Sequence, residues 1–367
     1  MITQKLANPD YLFFQSERTK HFITGSEAVN EAIKRANVDM AIAYPITPQS
    51  ESMHLVGDTY AEGYLKDYFR GENEFSVMAE VSGASMGGVR VFTATGGPGT
   101  MRAFEMFPAW AGARLPIVCA FFTRGINSPL SIQPDTIEMA YMLDTGIIMF
   151  HAENNQDLYD MVLKAFVVAE HTDVHIPVGV FVDGFFVTHT RDEVRITPED
   201  LKLPPYNPYS APVPVMDMEN VPIRQMRDPF VMKSNFISYA CHASWQQEVL
   251  AAADRARRYI EHYLEGLVET VNETADILLI ACGTAVSQCR EAMAAAAAEG
   301  INVGMIKIKC LRPFPTEEIK ALTDKCKAIV VPEFNRVGWL AREVKTTVRD
   351  NTKVVGAPRV FGGMTMP

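Results

Sequence analysis

The feature that most constrains this chain is a series of short, unbroken apolar runs. “VDMAIA” (38–43), “VRVFTAT” (89–95), “LPIVCAFFTR” (115–124) and “HIPVGVFVDGF” (175–185) are rich in β-branched and aromatic residues, with little polar alternation. Strands of that kind must be covered on both faces, which is the condition of a parallel sheet flanked by helices. Helical patterns lie between them. “TGSEAVNEAIKRAN” (24–37) is amphipathic, with Thr24 or Ser26 available as N-cap. “EFSVMAEVSGASMGG” (74–88) is a helix dense in small residues, so another backbone can come close to it. “MRAFEMFPAWAGA” (101–113) reads as one further helix. The alternation from residue 24 to about 190 predicts an α/β domain.

The character changes at residues 191–230. This stretch contains “PEDLKLPPYNPYSAPVPVMDMENVPIRQMRDPF”, rich in proline and without hydrophobic period, and reads as an extended linker. A helix is expected over 244–271. A second α/β unit follows: a strand over 275–284, a helix over 285–300 ended by Gly300, a strand over 301–315 stopped by proline, a strand over 326–334 and a last helix from Leu340. With 367 residues the chain exceeds what one core usually serves. The expected organisation is therefore a first domain at 1–190, a linker and connecting helix at 191–270, and a smaller α/β domain at 271–367.

Composition removes several function classes. A formal net charge of -10 disfavours nucleic acid as a partner. No apolar run approaches the roughly 18 residues that cross a bilayer, so no membrane insertion is expected. The first twenty residues lack a basic segment followed by an apolar core, which argues against a signal peptide and for the cytoplasm. Six cysteines are scattered without a CxxC pair and eight histidines without HExxH, so no metal or iron–sulfur site is expected on this chain.

Ligands of open parallel sheets bind beyond the carboxyl ends of the strands, and four loops stand there. In “AYPITPQS” (43–50), Pro45 and Pro48 stiffen the chain on either side of Thr47, whose hydroxyl could donate to an anion; a rigid turn explains the pattern too. In “RGENE” (70–74), Glu74 opens an apolar helix, where its carboxylate either suits the macrodipole or is buried and free to bond a ligand nitrogen. “TATGGPGT” (93–100) could cradle a phosphate or let a neighbour approach, but it matches no nucleotide motif in full. In “FTRGINSPLSIQPDT” (122–136), Arg124 ends a buried strand, where it needs either an internal salt bridge or a carboxylate ligand.

Together these strings resemble one family, the α subunits of 2-oxoacid:ferredoxin/acceptor oxidoreductases, pyruvate synthase among them. The resemblance rests on “YPITPQS”, “ENEFSVMAEVSGASMGGVRVFTATGGPG”, “LPIVCAFFTRGINSPLSIQPDTIEMAYMLDTG”, “VFVDGFFVTHT” and “LRPFPTEEI”, in the family's order over nearly the whole chain. It implies a pyrimidine-type thiamine diphosphate-binding domain followed by a transketolase C-terminal-like domain. It also implies that Glu74 hydrogen-bonds N1′ of the aminopyrimidine, so that the cofactor's own nitrogen can remove the C2 proton. Thr47 and Arg124 match the residues that hold the substrate carboxylate, with Asn127 beside them, while Pro45, Ile46, Gly96 and Gly97 match positions against the cofactor. The implied reaction is CoA-dependent oxidative decarboxylation of a 2-oxo acid, with electrons passing to ferredoxin or another acceptor. The chain has no GDG-x-N-type segment, so Mg²⁺ and the diphosphate are expected on a β subunit and the [4Fe–4S] clusters on partner subunits, in a dimer of heteromers. The loop after Arg124 looks less like the 2-oxoglutarate branch than the pyruvate branch, and the pyruvate branch includes enzymes for aromatic acids such as phenylglyoxylate. Phe121, Phe122, Leu130 and Ile132 could line a site for a ring, although strand-core packing is the simpler use of the two phenylalanines. Other readings stay open: a non-catalytic assembly subunit of the same kind of complex, an enzyme of 2-oxoglutarate or branched-chain 2-oxoacid specificity, and a nucleotide-binding enzyme using the glycine loop.

Overall fold

The computed structural model describes residues 13–127, 130–208 and 239–359. The later part of the expected linker lies outside the described residues. Chain order begins with β1 (Thr19–Thr24), α1 (Gly25–Arg35), β2 (Met40–Ala43), α2 (Ser50–Ala61), β3 (Asp67–Arg70), α3 (Glu74–Met86) and β4 (Val91–Thr95). It continues through α4 (Pro98–Arg102), α5 (Met106–Gly112), β5 (Val118–Thr123), α6 (Ile137–Met142), β6 (Ile148–Ala152), α7 (Asn155–Glu170) and β7 (Val178–Asp183). After β8 (Arg191–Ile196) and α8 (Tyr239–Tyr263) come β9 (Val268–Val271), β10 (Ile277–Ala281), α9 (Ala285–Ala298), β11 (Val303–Ile308) and β12 (Cys310–Arg312). The described chain closes with α10 (Thr316–Thr323), β13 (Ala328–Glu333), α11 (Trp339–Thr347) and β14 (Lys353–Pro358).

The apolar runs form one seven-stranded sheet in the order β12-β6-β7-β5-β4-β2-β3, parallel except for β12. Every residue of β4, β5, β6 and β7 is buried, as continuous apolar strands require. α1 starts as its sequence indicates: the Thr24 hydroxyl accepts the Glu27 N–H at 3.1 Å, and Glu27 reaches back to the Thr24 N–H at 2.7 Å. The second unit holds a five-stranded sheet, β14-β13-β10-β11-β9, with β9 antiparallel.

Four expected elements differ. The helix expected to reach 271 ends at Tyr263, because Gly266 (φ +94°) turns the chain and its N–H bonds Glu261 O at 2.8 Å; β9 then begins. The linker expected from 191 opens instead as β8, which pairs antiparallel with β1 while Val194 and Ile196 turn inward. The helix expected over 101–113 is two short ones, since Pro108 is tolerated only in a first turn and the helix restarts at Met106. The strand expected over 301–315 is split between sheets. β11 pairs with β10, then the chain crosses at Lys309, and β12 hydrogen-bonds to the edge strand β6 of the first sheet.

That crossing strand is one of several ties between the two units. A single apolar cluster runs from Ile42, Trp110 and Phe121 of the first unit to Leu278, Ile306 and Trp339 of the second. Beside it Lys307 of β11, almost fully buried, reaches Glu153 at 2.8 Å and Asp157 at 2.7 Å, and Ser287 donates to Glu153 at 2.8 Å. Burial alone would lower the Lys307 pKa, but the two carboxylates outweigh it and hold the ammonium above its ordinary value.

Candidate active site

The carboxyl ends of β2, β4, β5 and β7, four neighbours in the sheet, bring their loops together. Gly96 sits so close to β5 that a Cβ there would lie 2.0 Å from Phe122 O. Gly97, at φ +55°, would place its Cβ 2.6 Å from Arg124 Cγ, and one at Gly184, just after β7, would meet Pro48 at 2.6 Å. The glycine loop is thus shaped by close approach, with Arg124 seated against Gly97.

Arg124 is 7% exposed and has no ion pair within 4.0 Å among the described residues. Its Nη1 donates to the Thr47 main-chain carbonyl at 2.9 Å and its Nε to Gly125 O at 3.3 Å. The internal salt bridge that would have explained the arginine is not formed, and two carbonyls leave its full positive charge uncompensated. Burial lowers its pKa, against which the charge of Glu138 acts. Thr47 meets Arg124 through its carbonyl rather than its hydroxyl, and its side chain is exposed. The corner is closed by Gln49, fully buried, whose N–H bonds Ile46 O at 2.7 Å and whose Oε1 accepts the Ile46 N–H at 3.2 Å. Pro45 is exposed and Ile46 half-buried at the same rim.

Glu74 is the first residue of α3, whose N-cap is Asn73 accepting the Ser76 N–H at 3.1 Å. Its side chain needs no cap role, and it is 6% exposed with no hydrogen bond among the described residues. Its nearest cation is Arg102, 3.7 Å away and two-thirds exposed, a contact of little worth in water. A Cβ at Gly99 would lie 3.1 Å from Glu74 Oε1, so the glycine loop passes directly over this carboxylate. Glu74 and Arg124 therefore lie against one short loop, each buried and each short of a partner.

Asn127 is exposed on the loop after β5. Phe121 and Phe122 are fully buried in the sheet, Phe121 stacked on Phe181 at 4.5 Å, so they serve the core. Leu130 and Ile132 are exposed on the loop. The second unit grips the far end of that loop: the Thr136 N–H bonds Phe334 O at 2.6 Å, and Trp339 Nε1 bonds Thr136 O at 3.1 Å. Sequence reasoning passed over Asp183, which ends β7 as Arg124 ends β5, the same signal in a neighbouring strand. Its Oδ2 accepts both the N–H and the hydroxyl of Thr284 at 2.7 Å, and His151 Nε2 lies 3.4 Å from Oδ1. Burial would raise this carboxyl, but His151 and Thr284 hold it below its ordinary value.

Residues 31–255 match the family described as pyruvate flavodoxin/ferredoxin oxidoreductase, thiamine diphosphate-binding, and residues 275–366 match pyruvate:ferredoxin oxidoreductase core domain II. The fold and these matches define the class: an α/β subunit of the thiamine diphosphate-binding kind. Among curated relatives, pyruvate synthase subunit PorA of Methanocaldococcus jannaschii is 33% identical over 85% of this chain and 82% of its own. Ketoisovalerate oxidoreductase subunit VorA of Pyrococcus abyssi is 32% identical over 90% of this chain and 86% of its own. The chain belongs to this family, the α subunits of 2-oxoacid:ferredoxin oxidoreductases. In fold it resembles the 2-oxoglutarate:ferredoxin oxidoreductase of Magnetococcus marinus, solved with 2-oxoglutarate, coenzyme A and succinyl-CoA bound, with a TM-score of 0.79 at 21% identity. The likeness covers 95% of this chain and 63% of that longer one. Among the described residues no helix is long and apolar enough to cross a membrane.

Proposed function

We propose that this chain builds the aminopyrimidine and substrate-carboxylate wall of a thiamine diphosphate site, completed by a β subunit, in a cytoplasmic complex that oxidatively decarboxylates a 2-oxo acid to its acyl-CoA. The observation that carries this reading is the pairing of a buried Glu74, which accepts no hydrogen bond among the described residues and has only the long contact to the exposed Arg102, with a buried Arg124 that has no ion pair there, on either side of Gly96–Gly99. A carboxylate in that state can accept a hydrogen bond from a ring nitrogen, and a guanidinium in that state favours an anion. The cofactor, when bound, supplies the nucleophilic carbon and the electron sink for decarboxylation. Glu74 then bonds and orients its pyrimidine ring beside Pro45, Ile46, Gly96 and Gly97. Arg124, Thr47 and Asn127 hold the 2-oxo acid by its carboxylate, aligning its keto carbon. Mg²⁺ and the [4Fe–4S] clusters reside on partner subunits, which pass the electrons to ferredoxin or another acceptor. The complex is a dimer of heteromers.

Pyruvate is the substrate type we favour. The near-equal identity to a ketoisovalerate relative and the exposed Leu130 and Ile132 at the loop keep a branched or aromatic acyl group as a second reading. The test is to purify the complex, determine its thiamine diphosphate content, and assay CoA-dependent acceptor reduction with pyruvate, 2-oxoglutarate, 2-oxoisovalerate, phenylpyruvate and phenylglyoxylate. About one cofactor per α chain with pyruvate fastest is expected. A complex without thiamine diphosphate would leave the chain an assembly subunit.

A further inference from the structure

α6 carries a carboxyl that this reading does not use. Glu138 is fully buried, and neither of its oxygens reaches a hydrogen-bond partner in the described structure. The Thr100 hydroxyl and the main-chain N–H groups of Gly97 and Arg124 lie against it without attaining good hydrogen-bond geometry. Thr100 is itself fully buried, and its hydroxyl is likewise unpartnered. Glu138 therefore sits behind the loop and the arginine that form the substrate wall, on the side away from solvent.

We propose that Glu138 is a positioning residue for substrate binding: as a neutral acid behind Gly97 and Arg124 it leaves the guanidinium charge to the 2-oxo acid, and as a carboxylate it competes for that charge. The inference rests on the reading of Arg124 as the carboxylate holder. An unpaired carboxylate in so dry a place is costly, and protonation removes the cost. Burial accordingly pushes the Glu138 pKa up to about 8, overriding the Thr100 hydroxyl and the two N–H groups, and the charge of Asp135 adds to the rise. The titratable groups around it are few. Asp135 lies on the same loop, itself raised to about 6 chiefly by burial. Cys119 on β5 is held well above its ordinary range by burial and by Glu138. On Asp135 in turn Arg336 acts to lower and Asp183 to raise, and Arg124 stays protonated throughout.

The test is the KM for the 2-oxo acid in the assembled complex, at saturating coenzyme A, measured near pH 7 and pH 9 for wild type, Glu138→Gln and Arg124→Gln. The wild-type KM should rise about tenfold between the two pH values, as Glu138 ionises. In Glu138→Gln, which cannot ionise, the ratio should be close to one, while kcat keeps its wild-type pH dependence. A wild-type ratio near one, or the same rise in Glu138→Gln, overturns the proposal. An unchanged KM in Arg124→Gln overturns the premise about Arg124 instead, which separates the two failures. Should Glu138→Gln fail to assemble, Glu138→Met, which likewise cannot ionise, is measured in its place with the same expected ratio and the same overturning result.

Discussion

Arg124 and Glu74 show how burial turns an ordinary charged residue into a candidate. Each was singled out in sequence because a charge at the edge of an apolar run must either find a partner or serve a ligand. Among the described residues Arg124 has no ion pair within 4.0 Å, and Glu74 has only the long contact to the largely exposed Arg102. Arg124→Gln should therefore raise KM for the 2-oxo acid by roughly 10–100-fold, the worth of a charge-assisted hydrogen bond, with a smaller effect on kcat. Steady-state kinetics on the assembled complex checks this. Glu138 was not legible, because “IEMAYM” reads as any amphipathic turn and only the fold puts its carboxyl behind the glycine loop. Its folded pKa of about 8 lies above the ordinary 4.5, so its contribution to stability is intact below about pH 4.5 and is lost as pH rises to about 8. Thermal melts of wild type and Glu138→Gln should thus diverge in favour of the variant across that window.

At the scale of elements, the apolar strands were readable because a two-sided burial requirement leaves a run without alternation. β3 was not, since four mostly exposed residues at a sheet edge carry no such signature. The glycine loop was left between a phosphate cradle and a close approach, and packing against Phe122 O, Arg124 and Glu74 supports the second. Gly96→Ala tests that packing. Its Cβ would meet main chain at 2.0 Å, which cannot move aside as a side chain would. We expect a loss of about 1–3 kcal/mol in stability together with weakened 2-oxo acid binding, read by thermal melts and KM. Wild-type values in both would remove the steric argument.

The whole molecule joins two α/β units through shared core, shared sheet and buried charge. None of this was legible, because β12 continues the apolar composition of β11 and only a local turn sends it to the other sheet. Lys307→Met would leave Glu153 without its ammonium partner in the buried interface, at a cost of roughly 3–5 kcal/mol. A lowered melting temperature and faster proteolysis between the units should follow. Glu153, which burial would raise but Lys307 and Ser287 hold below 4.5, and Asp183 stabilise the same interface. Their contribution is present above about pH 4.5 and is lost as pH falls through their depressed values, so acid should loosen the interface. The interface matters to chemistry because the second unit grips Thr136 and so fixes the loop that begins at Arg124. The central claim, that this chain brings the pyrimidine-binding carboxylate to a shared site, is tested most directly by Glu74→Gln in the assembled complex. The rate of 2-oxo acid-dependent acceptor reduction should fall by at least about 100-fold while the subunits remain associated. Turnover close to wild type in an intact complex would contradict it.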